Sequence, residues 1–145
     1  MDVIGRLRNS GYRLTRQREV VLGVLEDNPG IPLNPADVHR EAAKKQPEIG
    51  LTTVYRTLEL FSELGIAQRV HLHGDAQYYE LNSGDHHHHL ICMACGKVRI
   101  FAGCNVREME AIIRDQSDFL VTSHCLSLFG YCPGCLPAGR GEVRG

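Results

Sequence analysis

The sequence predicts an α+β fold in two modules, because helical patterns fill its first half and short strand-like runs dominate its second half. Apolar residues recur at helical spacing in four early segments, and two short alternating runs around Gly74 and Asp75 then indicate a hairpin. The expected helices are residues 2–9, 16–26, 35–45 and 51–64, and the expected hairpin strands are residues 66–72 and 77–81.

Local start and stop signals support these helices. Thr15 precedes the second helix as a side-chain cap, and Asn34 followed by Pro35 opens the third. Gly65 follows the fourth helix, where a glycine commonly ends a helix. A short turn separates the third and fourth helices, so the pair predicts a helix-turn-helix, and the hairpin after it predicts a winged helix.

The second module begins after a polar segment and has a different pattern. Its expected elements are strands at residues 86–93, 98–101 and 120–128 and a helix over residues 106–115. The sequence therefore predicts a winged-helix domain over residues 1–81, a hinge over 82–85, a second domain over 86–136 and a flexible tail over 137–145.

The amino terminus carries a local positive charge that the whole chain lacks, since the chain has 16 Lys and Arg against 17 Asp and Glu. Five arginines and no acid lie between Val3 and Arg18, which suits phosphate contacts, although a solvated basic face is the alternative. Together with the helix-turn-helix, this pattern predicts binding to double-stranded DNA. The candidate contacts are Arg13, Arg16 and, in the first turn of the fourth helix, Thr52, Thr53, Tyr55 and Arg56.

Six cysteines and no apolar run long enough to span a membrane favour a cytoplasmic metal-binding protein, because the cytosol keeps thiols reduced. Four of the cysteines form two C-x-x-C pairs, Cys92 with Cys95 and Cys132 with Cys135. Four thiolates without an open position predict a closed structural zinc site, with a redox-active dithiol as the alternative. The sequence leaves open whether Cys104 and Cys125 are ligands, redox-sensitive thiols or buried residues.

A run of four histidines, residues 86–89, precedes the first cysteine pair. On a strand, alternation places His87 and His89 on one face and His86 and His88 on the other, so one run can supply two metal sites. An exposed polar strand is the structural alternative, and a zinc hydrolase is the alternative from a different functional class. Further potential ligands nearby in the sequence are His71, His73, Glu80, Cys104 and His124.

Together these motifs resemble the ferric uptake regulator family, and the resemblance runs from about residue 11 to residue 135. The matching segments are GYRLTRQR (11–18), LTTVYRTL (51–58), YYEL (78–81), the histidine run leading into the first cysteine pair, and the second cysteine pair. The resemblance implies a homodimeric repressor, not an enzyme, that binds a palindromic operator when a regulatory metal is present. The second module is then expected to be an α/β dimerisation domain.

The resemblance also implies a role for each group of ligands. The four paired cysteines match the family's structural zinc site. Glu80, His87 and His89 match a sensing site at the hinge. His86, His88 and His124 match a further site in the dimerisation domain.

Three departures from the family pattern affect these assignments. A sensing histidine of the family falls near Pro32, where no ligand stands, so His71, His73 or, as a weaker choice, His39 is expected to replace it. Arg107 stands where the family has a glutamate, which leaves Glu108 or Cys104 to complete the dimerisation-domain site. Ile100 stands at a position that is often acidic, which argues against a peroxide sensor.

The identity of the regulatory metal is the least constrained feature. Glu80 with paired histidines resembles the iron branch of the family, whereas residues 49–56 also resemble zinc regulators. A histidine pair such as His71 and His73 suits nickel. We therefore favour Fe(II) over Zn(II) as the regulatory ion, with Mn(II) and Ni(II) as further alternatives.

Overall fold

The computed structural model describes residues 2–72, 76–84, 86–104, 106–122, 124 and 126–136. The chain divides into two compact units, Met1–Asp85 and His86–Gly145. The predicted α+β class is confirmed, since the described residues contain five helices and two small sheets. No helix among these residues is long and apolar enough to cross a membrane. The expected tail over 137–145 lies outside the described residues.

Four helices form the first unit, and their starts agree with the sequence signals. The helices are α1 Val3–Asn9, α2 Arg16–Glu26, α3 Pro35–Lys45 and α4 Leu51–Glu63. The Thr15 hydroxyl accepts a hydrogen bond from the backbone N–H of Arg18, and Asn34 Oδ1 accepts one from Asp37 at 2.8 Å. Each cap satisfies an N–H group that has no partner inside its helix.

A hairpin completes the first unit as a winged helix. Its strands, β1 Ala67–His71 and β2 Gln77–Leu81, are antiparallel, and Leu33 adds an isolated bridge to Tyr79. The expected turn at Gly74 and Asp75 lies outside the described residues. Tyr79 is fully buried in the core between hairpin and helices. Other fully or almost fully buried members of that core are Leu7, Val21, Leu25, Val38, Val54, Leu58, Phe61 and Ile66.

One arginine of the basic amino terminus has a structural role that the sequence pattern did not reveal. Arg6 Nη1 donates to the backbone carbonyls of Leu64 at 3.0 Å and Gly65 at 3.2 Å. Carbonyls at the carboxyl end of a helix have no partner within it, and a cation there also meets the negative end of the helix dipole. Arg6 therefore links α1 to the carboxyl end of α4 by hydrogen bonds.

Replacing Gly65 with alanine is expected to destabilise the first unit by about 1 kcal/mol or more. Gly65 has φ +64°, and an added Cβ would lie 2.8 Å from Arg6 Nη1. Gly23→Ala is the matched control, because Gly23 lies within α2 and its added Cβ would meet only Lys45 Nζ at 3.7 Å. Urea unfolding is expected to separate the two variants, with Gly23→Ala equal to or above wild type. Equal loss in both would contradict the role of Gly65.

The described part of the second unit contains a three-stranded sheet and one helix. Its central strand β3, His87–Cys92, pairs antiparallel with β4, Val98–Ala102, and parallel with β5, Ser127–Gly130. Helix α5, Val106–Ser117, lies between β4 and β5 in the chain.

The expected strand over residues 120–128 is wrong at the described residues before Ser127, where β5 begins. The pairing with β3 begins at His89 opposite Ser127. Upstream, Asp118 has a positive φ and Leu120 is 80% exposed. An apolar run indicates a strand only where a neighbouring strand supplies hydrogen bonds.

Candidate metal centres and nucleic-acid interface

The two cysteine pairs meet at one end of the second sheet. Strands β3 and β5 are parallel neighbours, so the loops that follow them lie at the same end of the sheet. Cys92 ends β3, and its carbonyl accepts from Gly96 N at 2.9 Å, while the Cys132 carbonyl accepts from Cys135 N at 2.8 Å. These two tight turns bring four Sγ atoms within 4.8 Å of one another. We call Cys92, Cys95, Cys132 and Cys135 the Cys quartet.

The geometry and ionisation of the Cys quartet fit a zinc ion. Cys95 Sγ and Cys132 Sγ lie 3.8 Å apart, and tetrahedral Zn–S bonds of about 2.3 Å give S···S separations of about 3.8 Å. Backbone N–H groups of Cys132 and then Cys95 lower the pKa of Cys92 to about 6. Hydrogen bonds with the side chains of Cys132 and then Cys95 raise the pKa of Cys135 to about 12. One thiol of the quartet therefore ionises easily and another resists ionisation. A divalent cation would deprotonate both, because it deprotonates the thiols that coordinate it.

The histidine run alternates between the two faces of β3, as its sequence predicts. The rings of His87 and His89 lie 5.2 Å apart between centroids, and those of His86 and His88 lie 4.6 Å apart. Burial, and then the neighbouring imidazoles of His86 and His124, lower the pKa of His88 below its usual value. A neutral imidazole is the form that binds a metal.

A second cluster forms on the His86 and His88 side of the strand. His86 Nε2 lies 3.2 Å from His88 Nε2 and 2.9 Å from His124 Nε2. Cys104 Sγ lies 3.1 Å from His124 Nε2, and the four ligand atoms all lie within 4.8 Å of one another. We call these four residues the His/Cys cluster. The structure therefore places Cys104, whose role the sequence left open, beside the three histidines.

Glu108, the other residue suggested for this place, is exposed in the first turn of α5 and lies outside the His/Cys cluster. Glu110 takes a different position, since its Oε1 accepts from His124 Nδ1 at 2.8 Å. Two residues along an α-helix are about 200° apart around its axis, so Glu108 and Glu110 face different directions. The sequence alone did not indicate which of these carboxylates points to the histidines.

The expected sensing residues are distributed over both units. His87 and His89 share a face of β3, whereas Glu80 is buried on β2 and accepts a hydrogen bond from Gln68 Nε2, its cross-strand partner. The sequence pattern does not single out Gln68, although the hairpin register places it opposite Glu80.

The three histidines considered as replacements for the missing sensing histidine differ in position. His71 is exposed at the end of β1, and His73 lies outside the described residues. His39 Nε2 donates to the carbonyl of Ile49 at 2.9 Å, so this histidine has a structural hydrogen bond within the first unit.

The first two turns of α4 are open to solvent on one face. Thr52 and Arg56 are exposed, Thr53 is half-buried, and Tyr55 is 42% exposed. Gly50 is its N-cap, and among the described side chains none caps this end, so the positive end of the helix dipole is open to an anion.

A surface depression joins the first turn of α4 to the start of α2. Arg13 and Arg16 are exposed at the latter. Arg18 Nη1 is held by the carbonyl of Arg13 at 2.5 Å. Two helix amino ends and several cations thus share one surface that suits a phosphate backbone. The depression is lined by Thr15, Gln17, Arg18, Thr53, Arg56 and Thr57.

A winged helix with an exposed, basic helix-turn-helix face, carried on the same chain as clustered metal ligands, defines a metal-responsive DNA-binding regulator. The ferric uptake regulator family model matches residues 9–129. The ferric uptake regulation protein of Bacillus subtilis (strain 168) is 38% identical over 133 residues, which cover 90% of this chain and 89% of that protein.

Solved structures agree with this match. The ferric uptake regulator of Vibrio cholerae is 31% identical with a TM-score of 0.77, covering 90% of this chain and 100% of that one. The Francisella tularensis regulator solved with iron is also 31% identical, with a TM-score of 0.75, covering 86% of this chain and 95% of that one. The chain belongs to the ferric uptake regulator family, as its motifs predict, and is a metal-responsive transcriptional regulator.

Proposed function

We propose that this chain acts as a homodimeric repressor of metal-uptake genes, binding a palindromic operator when a regulatory ion is bound. The observation that carries the proposal is the exposed first turn of α4 on a winged helix whose chain continues into metal-ligand clusters. Family membership supports a dimeric DNA-binding regulator. A two-fold protein dimer matches a two-fold operator, with one recognition helix in each half-site.

Fe(II) is the favoured regulatory ion, with Zn(II) as the second candidate. We assign the sensing role to Glu80, His87 and His89, together with His71 or His73, because the family resemblance places a sensing site there. A carboxylate with imidazoles suits Fe(II) and also Mn(II) or Ni(II), so the donor set favours no single ion. The relatives named for ferric uptake and the iron-bound Francisella structure support iron.

The second unit has an apolar surface suited to a second copy of the chain. Helix α5 has no buried residue among those described, and Met109, Ile112 and Ile113 recur on it at helical spacing, each at least 40% exposed. Contiguous apolar surface of this kind is typical of a protein interface. The α5 face therefore supports the assignment of this unit to dimerisation.

The proposed function is tested by DNA binding of the zinc-loaded protein to its own upstream region, at fixed salt and without oxygen. Fe(II), Zn(II), Mn(II) and Ni(II) are titrated separately. We expect Fe(II) to tighten binding by about 5- to 150-fold, which corresponds to a coupling of about 1–3 kcal/mol. Tightening by Zn(II) alone would replace iron by zinc as effector. No change with any of these metals would contradict the proposal.

Replacing Arg56 with alanine is expected to weaken operator binding by about 1–3 kcal/mol, because Arg56 is an exposed cation near the amino end of α4. The matched control is Arg114→Ala, since Arg114 is exposed in the last turn of α5 in the other unit. Fluorescence anisotropy with labelled operator measures both. Equal affinities for the two variants would place the DNA surface elsewhere.

A further inference from the structure

The His/Cys cluster differs chemically from the proposed sensing set. The sensing set offers oxygen and nitrogen donors, whereas the His/Cys cluster combines three imidazole nitrogens with the sulfur of Cys104. Thiolate ligands favour Zn(II) and Co(II) over Mn(II) and Fe(II). One chain thus contains, outside the Cys quartet, two donor sets of different softness.

The four donor atoms lie within 4.8 Å of one another, close to the spacing of a tetrahedral site. Bonds of about 2.0–2.1 Å from an ion to nitrogen give N···N separations of about 3.3 Å. The observed separations from His86 Nε2 are 3.2 Å to His88 and 2.9 Å to His124. Separations between donor atoms must grow by up to about 0.5 Å to admit an ion, and four protein ligands leave no open position for a substrate.

Glu110 determines how His124 is presented to the cluster. Its carboxylate accepts from His124 Nδ1 at 2.8 Å, while His124 Nε2 faces Cys104 and His86. A carboxylate on the outer nitrogen fixes the tautomer and orientation of a metal-binding imidazole and raises its basicity. The His124 ring and its carboxylate partner are both less than one-third exposed.

We propose that the His/Cys cluster is a closed site selective for Zn(II)-like ions, because Cys104 supplies a thiolate, and that Glu110 is the positioning residue for His124. This inference rests on the proposed function, in that it assigns a metal class to one site of the proposed regulator. Selectivity for a borderline-soft ion gives this site a different metal preference from the sensing residues.

Co(II) titration of the full-length protein, with zinc retained in the Cys quartet and no DNA present, tests the thiolate ligand. Tetrahedral Co(II) bound to a thiolate has a charge-transfer absorption in the near ultraviolet, and the sensing set contains no sulfur. We expect this absorption in wild type and in Cys125→Ser, the matched control, but not in Cys104→Ser. Zinc content and circular dichroism are measured on the same samples to show that the quartet and fold persist.

Persistence of the absorption in Cys104→Ser would overturn the proposal. Competition supplies an independent test that needs no variant. One equivalent of Zn(II) is expected to displace Co(II) from the wild-type site, whereas excess Mn(II) is not. Displacement by Mn(II) as readily as by Zn(II) would also overturn it.

The positioning role is tested by Glu110→Gln against Glu108→Gln. We expect Glu110→Gln to weaken Co(II) binding by about 10- to 100-fold while keeping the thiolate absorption, because a carboxylate partner is lost and the ligands remain. Glu108→Gln is expected to match wild type. Equal affinities for the two variants would contradict the role of Glu110. Because these measurements involve no operator, their failure is distinct from failure of metal-dependent DNA binding.

Discussion

Replacing Cys92 with serine is expected to remove zinc from the Cys quartet and unfold the second unit. Cys92 is 4% exposed at the end of β3 and receives the backbone N–H of Cys132 at 3.3 Å, so its sulfur joins the two turns. Structural zinc in small domains contributes about 10–16 kcal/mol of apparent binding free energy, comparable to the whole stability of a typical domain, about 5–15 kcal/mol. The three remaining thiolates are expected to hold zinc only weakly.

The measurement is zinc per chain by atomic spectroscopy together with hydrogen exchange in β3 and β5. Ala94→Ser is the matched control, because it places a serine in the same turn at an exposed position that is not a ligand. We expect full zinc content and wild-type exchange in that control. A Cys92→Ser protein with full zinc and protected strands would show that the Cys quartet is not the structural site. A strong chelator is expected to reproduce the effect of Cys92→Ser in the wild-type protein.

Replacing both His87 and His89 with alanine is expected to abolish metal-dependent operator binding while leaving a folded, zinc-loaded dimer. The two rings are neighbours on one face of β3 and are separate from the Cys quartet and the His/Cys cluster. Loss of both imidazoles removes the differential affinity by which an ion shifts a regulator towards its DNA-binding state. The tightening of about 5- to 150-fold that the metal produces is therefore expected to vanish.

His39→Gln is the control for this double variant, since His39 donates to the Ile49 carbonyl and glutamine keeps a donor there. The control is expected to retain the response to metal. Weak, salt-sensitive binding to non-specific DNA is expected to persist in the double variant, because the basic surface of the first unit is unchanged. A full metal response in the double variant, or an unfolded protein, would contradict the sensing assignment.

Sequence signals predicted the first unit well, because they act over a few residues. The caps at Thr15 and Asn34 are local hydrogen bonds, and the helices begin where these residues place them. The split of the histidine run also follows locally, since successive side chains on a strand point to opposite faces. The expected strand over 120–128 is wrong at its described residues before Ser127, because a strand needs a partner and the strand pairing with β3 begins at Ser127.

The sequence by itself determined the residue types, the fold class, the helix starts, and the grouping of the two C-x-x-C turns into one set of four cysteines. Tertiary structure decided which distant side chains meet. Cys104 reaches His124, Glu110 and not Glu108 contacts the same ring, and Arg6 caps α4 instead of joining the basic surface. Periodicity and capping depend on neighbours within one turn or strand, whereas these contacts depend on how separate elements pack, which no short pattern encodes.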